Sequence, residues 1–184
     1  YLNSLGFNVH GVDLSKKSID IAKKYENKSL QFSIHDMRKG YKANYFDLSI
    51  NLFTSFGYFS NNQDDQDAIN AMSSNLKENG ILIIDFMNVN NVIANLLHKE
   101  KKIIQNIEFN IKREIKKNYI IKKINIKDKK KNEVFQEKVK MLTLDDFLFL
   151  IKNANLKIID IFGDYKLNPF NTQKSERLIL ICKK

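Results

Sequence analysis

Apolar runs alternate with amphipathic stretches through the first half of the chain. Four short apolar runs predict strands, at residues 7–12, 30–34, 46–53 and 81–87. Residues 16–26 and 63–76 carry apolar side chains at helical spacing, and Ser15 is placed to cap the first of these helices. This alternation is typical of a doubly wound α/β sheet, in which helices cover parallel strands on both faces.

The pattern changes in the second half of the chain. Three charged stretches alternate apolar and polar residues and predict an antiparallel meander: "IEFNIKREI", "YIIKKINIK" and "EVFQEKVKML". A helix capped by Thr143 follows, and residues 156–163 and 177–183 predict an antiparallel hairpin at a sheet edge. We therefore expect one domain over residues 1–184, with the meander, residues 103–142, inserted within it.

Composition describes a globular chain with an excess of lysine. The 184 residues are 43% hydrophobic, include one cysteine, Cys182, and carry a formal net charge of +10. Neither a disulfide nor a signal peptide nor a membrane span is predicted, so we expect a cytoplasmic protein. Only three of the 31 basic residues are arginine, and lysine recognises phosphate and bases less well. The charge therefore gives little support to a nucleic-acid partner, and the basic run at 127–132 predicts a hairpin tip.

Polar residues follow three consecutive predicted strands. Asp13 ends the first, Asp36 and Met37 follow the second, and Asn51 lies near the end of the third. Ligands of an open α/β sheet bind outside the carboxyl ends of its strands. A carboxylate at Asp13 can accept both ribose hydroxyls, whereas Asp36 can accept from an adenine amino group and Met37 can cover the ring. Taken singly, Asp13 serves equally well as a helix-dipole partner and Met37 as core packing; the ordered combination indicates a pocket for an adenosine-containing cofactor.

Several stretches resemble successive motifs of the class I S-adenosylmethionine-dependent methyltransferases: "GFNVHGVDLS", "HDM", "FDLSINLFTSFGYF" and "LKENGILIIDFMNV". The closing hairpin fits the reversed final hairpin of that fold. The meander is similar to the β insertion of a bacterial subgroup described as small-molecule or uncharacterised methyltransferases. The resemblance implies a Rossmann-like sheet, S-adenosylmethionine as cofactor and methyl transfer as the reaction. The stretch "NLFT" stands where many nucleic-acid methyltransferases carry an NPPY-type tetrapeptide, which favours a small-molecule acceptor.

The resemblance also implies roles for particular residues. Seven of them would bind the cofactor at its ribose, adenine and methionine portions in turn: Asp13 and Leu14, then Asp36 and Met37, then Asn51, Leu52 and Phe53. Phe56, Tyr58 and Asn88 are candidates for the substrate pocket. Aromatic faces suit a sulfonium cation, although lid or core packing explains the aromatic residues equally well. No catalytic base is identified, and three scattered histidines give no metal-ligand spacing.

The glycine-rich loop of this family, roughly GxGxG after its first strand, has no counterpart in the chain. None of the six glycines lies within three residues of another. Gly6 is predicted to close the last turn of a helix over residues 1–5. The expectation is an amino-terminal truncation that removes a central strand, so that two neighbouring strands lose hydrogen bonds. Low stability and weak cofactor binding would follow.

Two other classes of function stay open. A nicotinamide-dependent oxidoreductase also places an acid after the second strand of its fold, and a cofactor titration separates it from a methyltransferase. A non-catalytic, basic nucleic-acid-binding domain would show binding that weakens steeply with salt. The meander either roofs the active site or forms the surface of a homo-oligomer, and the pattern does not decide between these.

Overall fold

The computed structural model describes residues 1–128 and 131–184 of the chain. Its first half alternates strands and helices: β1 (Val9–Asp13), α1 (Lys16–Ala22), β2 (Leu30–Ile34), β3 (Phe46–Asn51), α2 (Asn62–Asn75) and β4 (Leu76–Met87). The side chain of Ser15 caps α1, as the sequence predicts, and the side chain of Asn61 caps α2. Both caps satisfy backbone N–H groups that a helix leaves unpaired at its start.

The second half contains an antiparallel sheet, a helix and a closing hairpin. Its elements are α3 (Val89–Ala94), β5 (Lys99–Ile104), β6 (Ile107–Lys116), β7 (Tyr119–Asp128), β8 (Lys131–Lys140), α4 (Leu144–Asn153), β9 (Lys157–Phe162) and β10 (Arg177–Lys183). Thr143 and Asp146 form a capping box at the start of α4, in which each residue accepts from a backbone N–H of the other. None of the helices in the described residues combines the length and apolarity that crossing a bilayer requires.

The strands form three hydrogen-bonded groups. β1 pairs with β2 in parallel, and a second sheet has the order β3-β4-β10-β9, with β3 parallel and β10 antiparallel to β4. β5 to β8 form the antiparallel meander. Aromatic packing joins the first two groups, because the ring of His10 in β1 lies 5.4 Å from the ring of Phe46 in β3.

The core lies between the sheet β3-β4-β10-β9 and the helices α2 and α4. Phe56, Phe86 and Phe147 are fully buried there, and their rings pack edge-on or tilted against one another. Burial of one such side chain stabilises the folded state by about 1.5–3 kcal/mol. The core therefore fixes β4 and the loop that follows β3, both of which end near the candidate site.

The structure corrects three predicted elements. β4 begins at Leu76 rather than residue 81, because Leu76 already pairs with Phe46 before a bulge interrupts the ladder. The meander has a fourth strand, β5, which the sequence analysis missed in the charged stretch "KEKKII". The predicted helix over residues 16–26 is α-helical only as far as Ala22, and of its apolar side chains Ile19 is buried whereas Ile21 is 52% exposed.

The predicted hairpin tip at 127–132 lies partly outside the described residues, which omit 129 and 130. The flanking strands β7 and β8 pair as far as Asp128 and Lys131. The assignment of residues 103–142 as an insertion within one domain stays a prediction.

A buried lysine attaches the meander to the rest of the molecule. The backbone N–H of Lys140, at the end of β8, donates to the carbonyl of Gly57 at 2.7 Å. Its ammonium donates to the carbonyl of Asn61 at 2.7 Å and pairs with the buried carboxylate of Asp65 in α2. These contacts connect the end of the meander to the loop after β3 and to α2.

Candidate functional site

The carboxyl ends of the first three strands meet at one edge of the molecule. The N–H of His35, just after β2, donates to the carbonyl of Asp13 at the end of β1, at 3.0 Å. The amide of Asn51 at the end of β3 donates to the sulfur of Met37 at 3.8 Å. Hydrogen bonds therefore link the predicted ribose, adenine and methionine positions in that order, and the site is continuous across the three strand ends.

Asp13 is positioned by the turn that starts α1. One of its carboxylate oxygens, Oδ1, accepts from the N–H of Ser15 at 2.7 Å. The other, Oδ2, accepts no hydrogen bond from the described part of the chain, and the carboxylate is exposed. The neighbouring Leu14 is 62% exposed. Asp13 therefore combines a fixed orientation with free acceptor capacity beside an apolar surface, an arrangement that suits a sugar with two hydroxyl groups.

Arg38 holds the carboxylate of Asp36. The guanidinium donates from Nε and Nη2 to both carboxylate oxygens, with the shortest contact at 2.6 Å. These bonds lower the pKa of the Asp36 carboxyl to about 2. Arg38 also reaches Asp64 of α2 at 3.2 Å and lies over the ring of Phe59. The loop after β2 is thereby tied to α2, and Asp36 is an ionised acceptor throughout the neutral range.

Asn51 carries an unsatisfied polar atom inside the site. Its side chain is buried, yet its carbonyl oxygen Oδ1 has no hydrogen-bond partner in the described residues. Leaving a buried acceptor unpaired costs about 1–3 kcal/mol. The amide nitrogen of the same side chain contacts the sulfur of Met37, and a ligand that brought an N–H or ammonium donor to Oδ1 would relieve that cost.

The chain turns sharply directly after β3. Phe53 and Thr54 both have left-handed backbone angles, with φ of +58° and +60°, which costs a non-glycine residue about 1–2 kcal/mol. The ring of Phe53 is 74% exposed. The N–H of Phe53 donates to Oδ2 of Asp85 at 2.7 Å, and the N–H of Thr54 donates to the Asp85 carbonyl at 3.0 Å. The turn therefore places an exposed aromatic face at the predicted methionine position.

The three predicted substrate-pocket residues lie in different surroundings. Phe56 is fully buried and packs against Phe59 and Phe147. Asn88 is also buried, and its amide donates to the backbone carbonyls of residues 172 and 175; it also lines a cleft of about 190 Å³. Tyr58 is half-exposed, and burial together with the Glu137 carboxylate raises its pKa. Tyr58 alone of the three combines an exposed ring with a free polar tip.

Two charged residues at the site, Asp85 and Arg38, were not predicted from the sequence. Asp85 lies in the most apolar strand of the chain, where a single acid within "ILIIDFM" is a signal that could have marked it. Arg38 directly follows the predicted adenine residues, but its ion pairs depend on the position of α2. Nothing local in the sequence reveals such a partner.

The residues at the three strand ends fit an adenosine-containing cofactor. The carboxylates of Asp13 and Asp36, the orphaned oxygen of Asn51, and the exposed side chains of Leu14 and Phe53 supply polar and apolar contacts. Arg38 is a basic group at the same site, and its guanidinium is paired with Asp36 and Asp64. The acceptor oxygens suit a ligand with hydroxyl, amino and ammonium groups.

The fold is an α/β arrangement of the Rossmann-like type, and the polar groups at its strand ends suit an adenosyl cofactor. Residues 1–84 match the model of the family described as a methyltransferase domain. The first part of the chain is thus similar in sequence to a methyltransferase domain. A search of the curated proteins finds no match.

Solved methyltransferase structures share the whole architecture. An S-adenosylmethionine-dependent methyltransferase from Clostridium acetobutylicum superposes with a TM-score of 0.82 at 20% identity, over 96% of this chain and 74% of that one. A sugar N-methyltransferase from Streptoalloteichus gives a TM-score of 0.74 at 15% identity, over 95% and 70%. An amino pentose methyltransferase from Micromonospora echinaspora, solved with S-adenosylmethionine bound, gives 0.70 at 14% identity, over 96% and 73%. At these identities the likeness concerns the fold, including the meander and the closing hairpin.

Proposed function

We propose that the chain binds S-adenosylmethionine across the ends of β1, β2 and β3 and methylates a small-molecule acceptor. The observation that carries the proposal is the continuous row of polar groups from Asp13 through Asp36 to Asn51, which ends in an orphaned buried oxygen. Asp13 accepts from the ribose hydroxyls and Asp36 from the adenine amino group. Asn51, Leu52 and Phe53 line the methionine portion.

The sulfonium of the bound cofactor supplies an electrophilic methyl group, which passes to a nucleophilic atom of the acceptor and leaves S-adenosylhomocysteine. The residues of the chain contribute alignment, and positioning alone can supply about 7–11 kcal/mol of the barrier. The exposed face of Phe53 suits a positive charge. Tyr58 is the best candidate for contact with the acceptor, because its hydroxyl stays protonated at neutral pH and its ring is half-exposed.

A small acceptor is favoured by the structural relatives. They include a sugar N-methyltransferase and an amino pentose methyltransferase, and these share the meander with this chain. The absence of an NPPY-type tetrapeptide after β3, where the sequence has "NLFT", agrees with this acceptor class. Sugars and amines of this size are therefore the first acceptors to screen.

Substitution of Asp13 tests the proposal without knowledge of the acceptor. Asp13→Asn keeps the size of the side chain but removes its charge and one acceptor, so S-adenosylmethionine should bind about 10–100-fold more weakly, as expected for a hydrogen bond to a charged group. Calorimetric titration of the wild-type chain and the variant measures this ratio. Asp20→Asn is the matched control, because Asp20 lies in α1 and pairs with Lys16 at the surface.

If the Asp13→Asn variant and the wild-type chain bind S-adenosylmethionine with equal affinity, Asp13 does not contact the cofactor. Equal loss in the Asp20→Asn control would attribute the effect to α1 as a whole. Conversion of a sugar or amine library with radiolabelled S-adenosylmethionine then identifies the acceptor class.

A further inference from the structure

A buried carboxylate lies directly behind the turn that follows β3. Asp85 in β4 is 1% exposed and accepts hydrogen bonds from three different segments. The N–H of Phe53 donates to Oδ2 at 2.7 Å, the hydroxyl of Tyr165 donates to the same oxygen at 2.9 Å, and Nε of Arg177 donates to Oδ1 at 2.7 Å. Both oxygens are therefore engaged by groups of the protein itself.

The same hydrogen-bond network also holds the turn at Thr54. Arg177, at the start of β10, also donates from Nη2 to the side-chain oxygen of Thr54 at 3.1 Å. The carbonyl of Asp85 accepts from the N–H of Thr54. Two successive residues with left-handed backbone angles are thus held by one carboxylate, its own carbonyl and its counter-ion.

We propose that Asp85 is a positioning residue for the cofactor: it holds the Phe53–Thr54 turn in its left-handed conformation and so presents Phe53 to the methionine portion. The inference rests on the proposed function, which places the cofactor at Phe53. Asp85 itself acts through the backbone N–H of Phe53 and touches no ligand. Arg177 neutralises its charge, and Tyr165 closes the network, with its ring 6.4 Å from that of Phe53.

A positioning role of Asp85 in the turn differs from a contribution to the stability of β4. Neighbours of Asp85 in β4, such as Ile84 and Phe86, are buried apolar residues that pack in the core. A purely structural role for Asp85 would change unfolding but not the affinity of a folded variant for the cofactor. If Asp85 positions the turn, its substitution lowers the affinity for the cofactor. A second substitution that restores the turn should then restore the affinity.

Replacement of Thr54 by glycine should restore the turn, because glycine adopts positive φ without steric cost. Asp85→Asn should expose the Phe53 amide to faster hydrogen exchange in the absence of any cofactor. It should also raise the Kd for S-adenosylmethionine at least about tenfold. The double variant Asp85→Asn/Thr54→Gly should recover at least about a third of the lost affinity on the logarithmic scale. Asp47→Asn is the matched control, since Asp47 is an exposed acid at the start of β3 that pairs with Lys77.

A folded Asp85→Asn variant with wild-type cofactor affinity would overturn the inference, as would a double variant that recovers nothing. If Asp85→Asn does not fold, Tyr165→Phe replaces it: Tyr165 is mainly exposed, and loss of its hydroxyl should accelerate exchange at Phe53 and raise the Kd about threefold. An unchanged Kd in that variant would contradict the inference. A wild-type chain that binds no S-adenosylmethionine at all would instead refute the proposed function.

Discussion

At the scale of single residues, Arg38 tunes the group that is proposed to recognise adenine. Its guanidinium forms two-pronged contacts with Asp36 and lowers the pKa of that carboxyl to about 2. The folded chain thus releases this proton more readily than the unfolded chain. The resulting contribution to stability is fully present above pH 4, the ordinary range of an aspartate, and is lost as pH falls toward 2.

Substitution of Arg38 by Gln should return the Asp36 pKa toward its ordinary value near 4. The variant should also bind the cofactor more weakly at pH 4 than at pH 7, whereas the wild-type chain should show no such loss from Asp36. Carbon NMR of the Asp36 carboxyl measures the pKa directly. A pKa that stays near 2 in the variant would show that Arg38 is not its cause.

The residue scale also shows what the sequence could predict of the site. Asp13, Asp36 and Asn51 could be proposed as site residues because strand ends are visible as the points where apolar runs stop. The burial of Phe56 could not be foreseen, since it depends on the packing of α4. Nor could the partners of Asp85, because β10 contributes its counter-ion from 92 residues further along the chain.

At the scale of elements, a buried ion pair helps to attach the meander to α2. Lys140 and Asp65 have side chains only 4% and 3% exposed, and Lys140 also satisfies the carbonyl of Asn61. Removal of one partner of such a pair leaves an uncompensated charge in a region of low polarity.

Lys140→Met should lower the free energy of unfolding by about 3–5 kcal/mol. Urea denaturation followed by circular dichroism measures the change. Lys123→Met, at an exposed position in β7, should change it by less than about 0.5 kcal/mol. A loss below about 1 kcal/mol in the Lys140 variant would mean that the pair adds little to the attachment of the meander.

Elements with one apolar face were the most predictable. β2 has the limits expected from the sequence and α4 begins where expected, since β2 is bounded by polar turns and Thr143 caps α4. β5 was missed because its lysines hide the alternation, and its identity as a strand comes from pairing with β6. The predicted start of β4 was wrong because Leu76 pairs with Phe46 of β3 on the far side of a bulge, a contact that the local sequence does not reveal.

At the scale of the whole molecule, two strand edges face each other without hydrogen bonds between them. β1 and β3 each end the order of their own sheet. Val12, Leu48 and Ile50 on these strands are 40–45% exposed, although full burial of such a side chain contributes about 1.5–3 kcal/mol. Aromatic contacts around His10 are what join the two sheets at this point. The free energy of unfolding of a domain is only about 5–15 kcal/mol, so the stabilisation that incomplete burial withholds is a large fraction of it.

The chain should therefore unfold with a midpoint below about 50 °C, at the low end for a domain of this size. The sheet β3-β4-β10-β9 should be protected from hydrogen exchange for longer than β1 and β2, which share less of the core. Calorimetry and exchange measured by NMR test the two statements. A single cooperative transition well above 50 °C, with equal protection in both sheets, would show that the two sheets form one stable unit.

The central claim is that S-adenosylmethionine binds across the ends of β1, β2 and β3. The most direct test is an NMR titration of the isotope-labelled chain with S-adenosylmethionine, and in parallel with NADH, because NMR also detects weak binding. The account predicts saturable shifts for the amides of Asp13, Leu14, Asp36, Met37 and Asn51–Phe53 with S-adenosylmethionine, and none of comparable size with NADH. Shifts at these positions with NADH alone, or with neither compound, would contradict it.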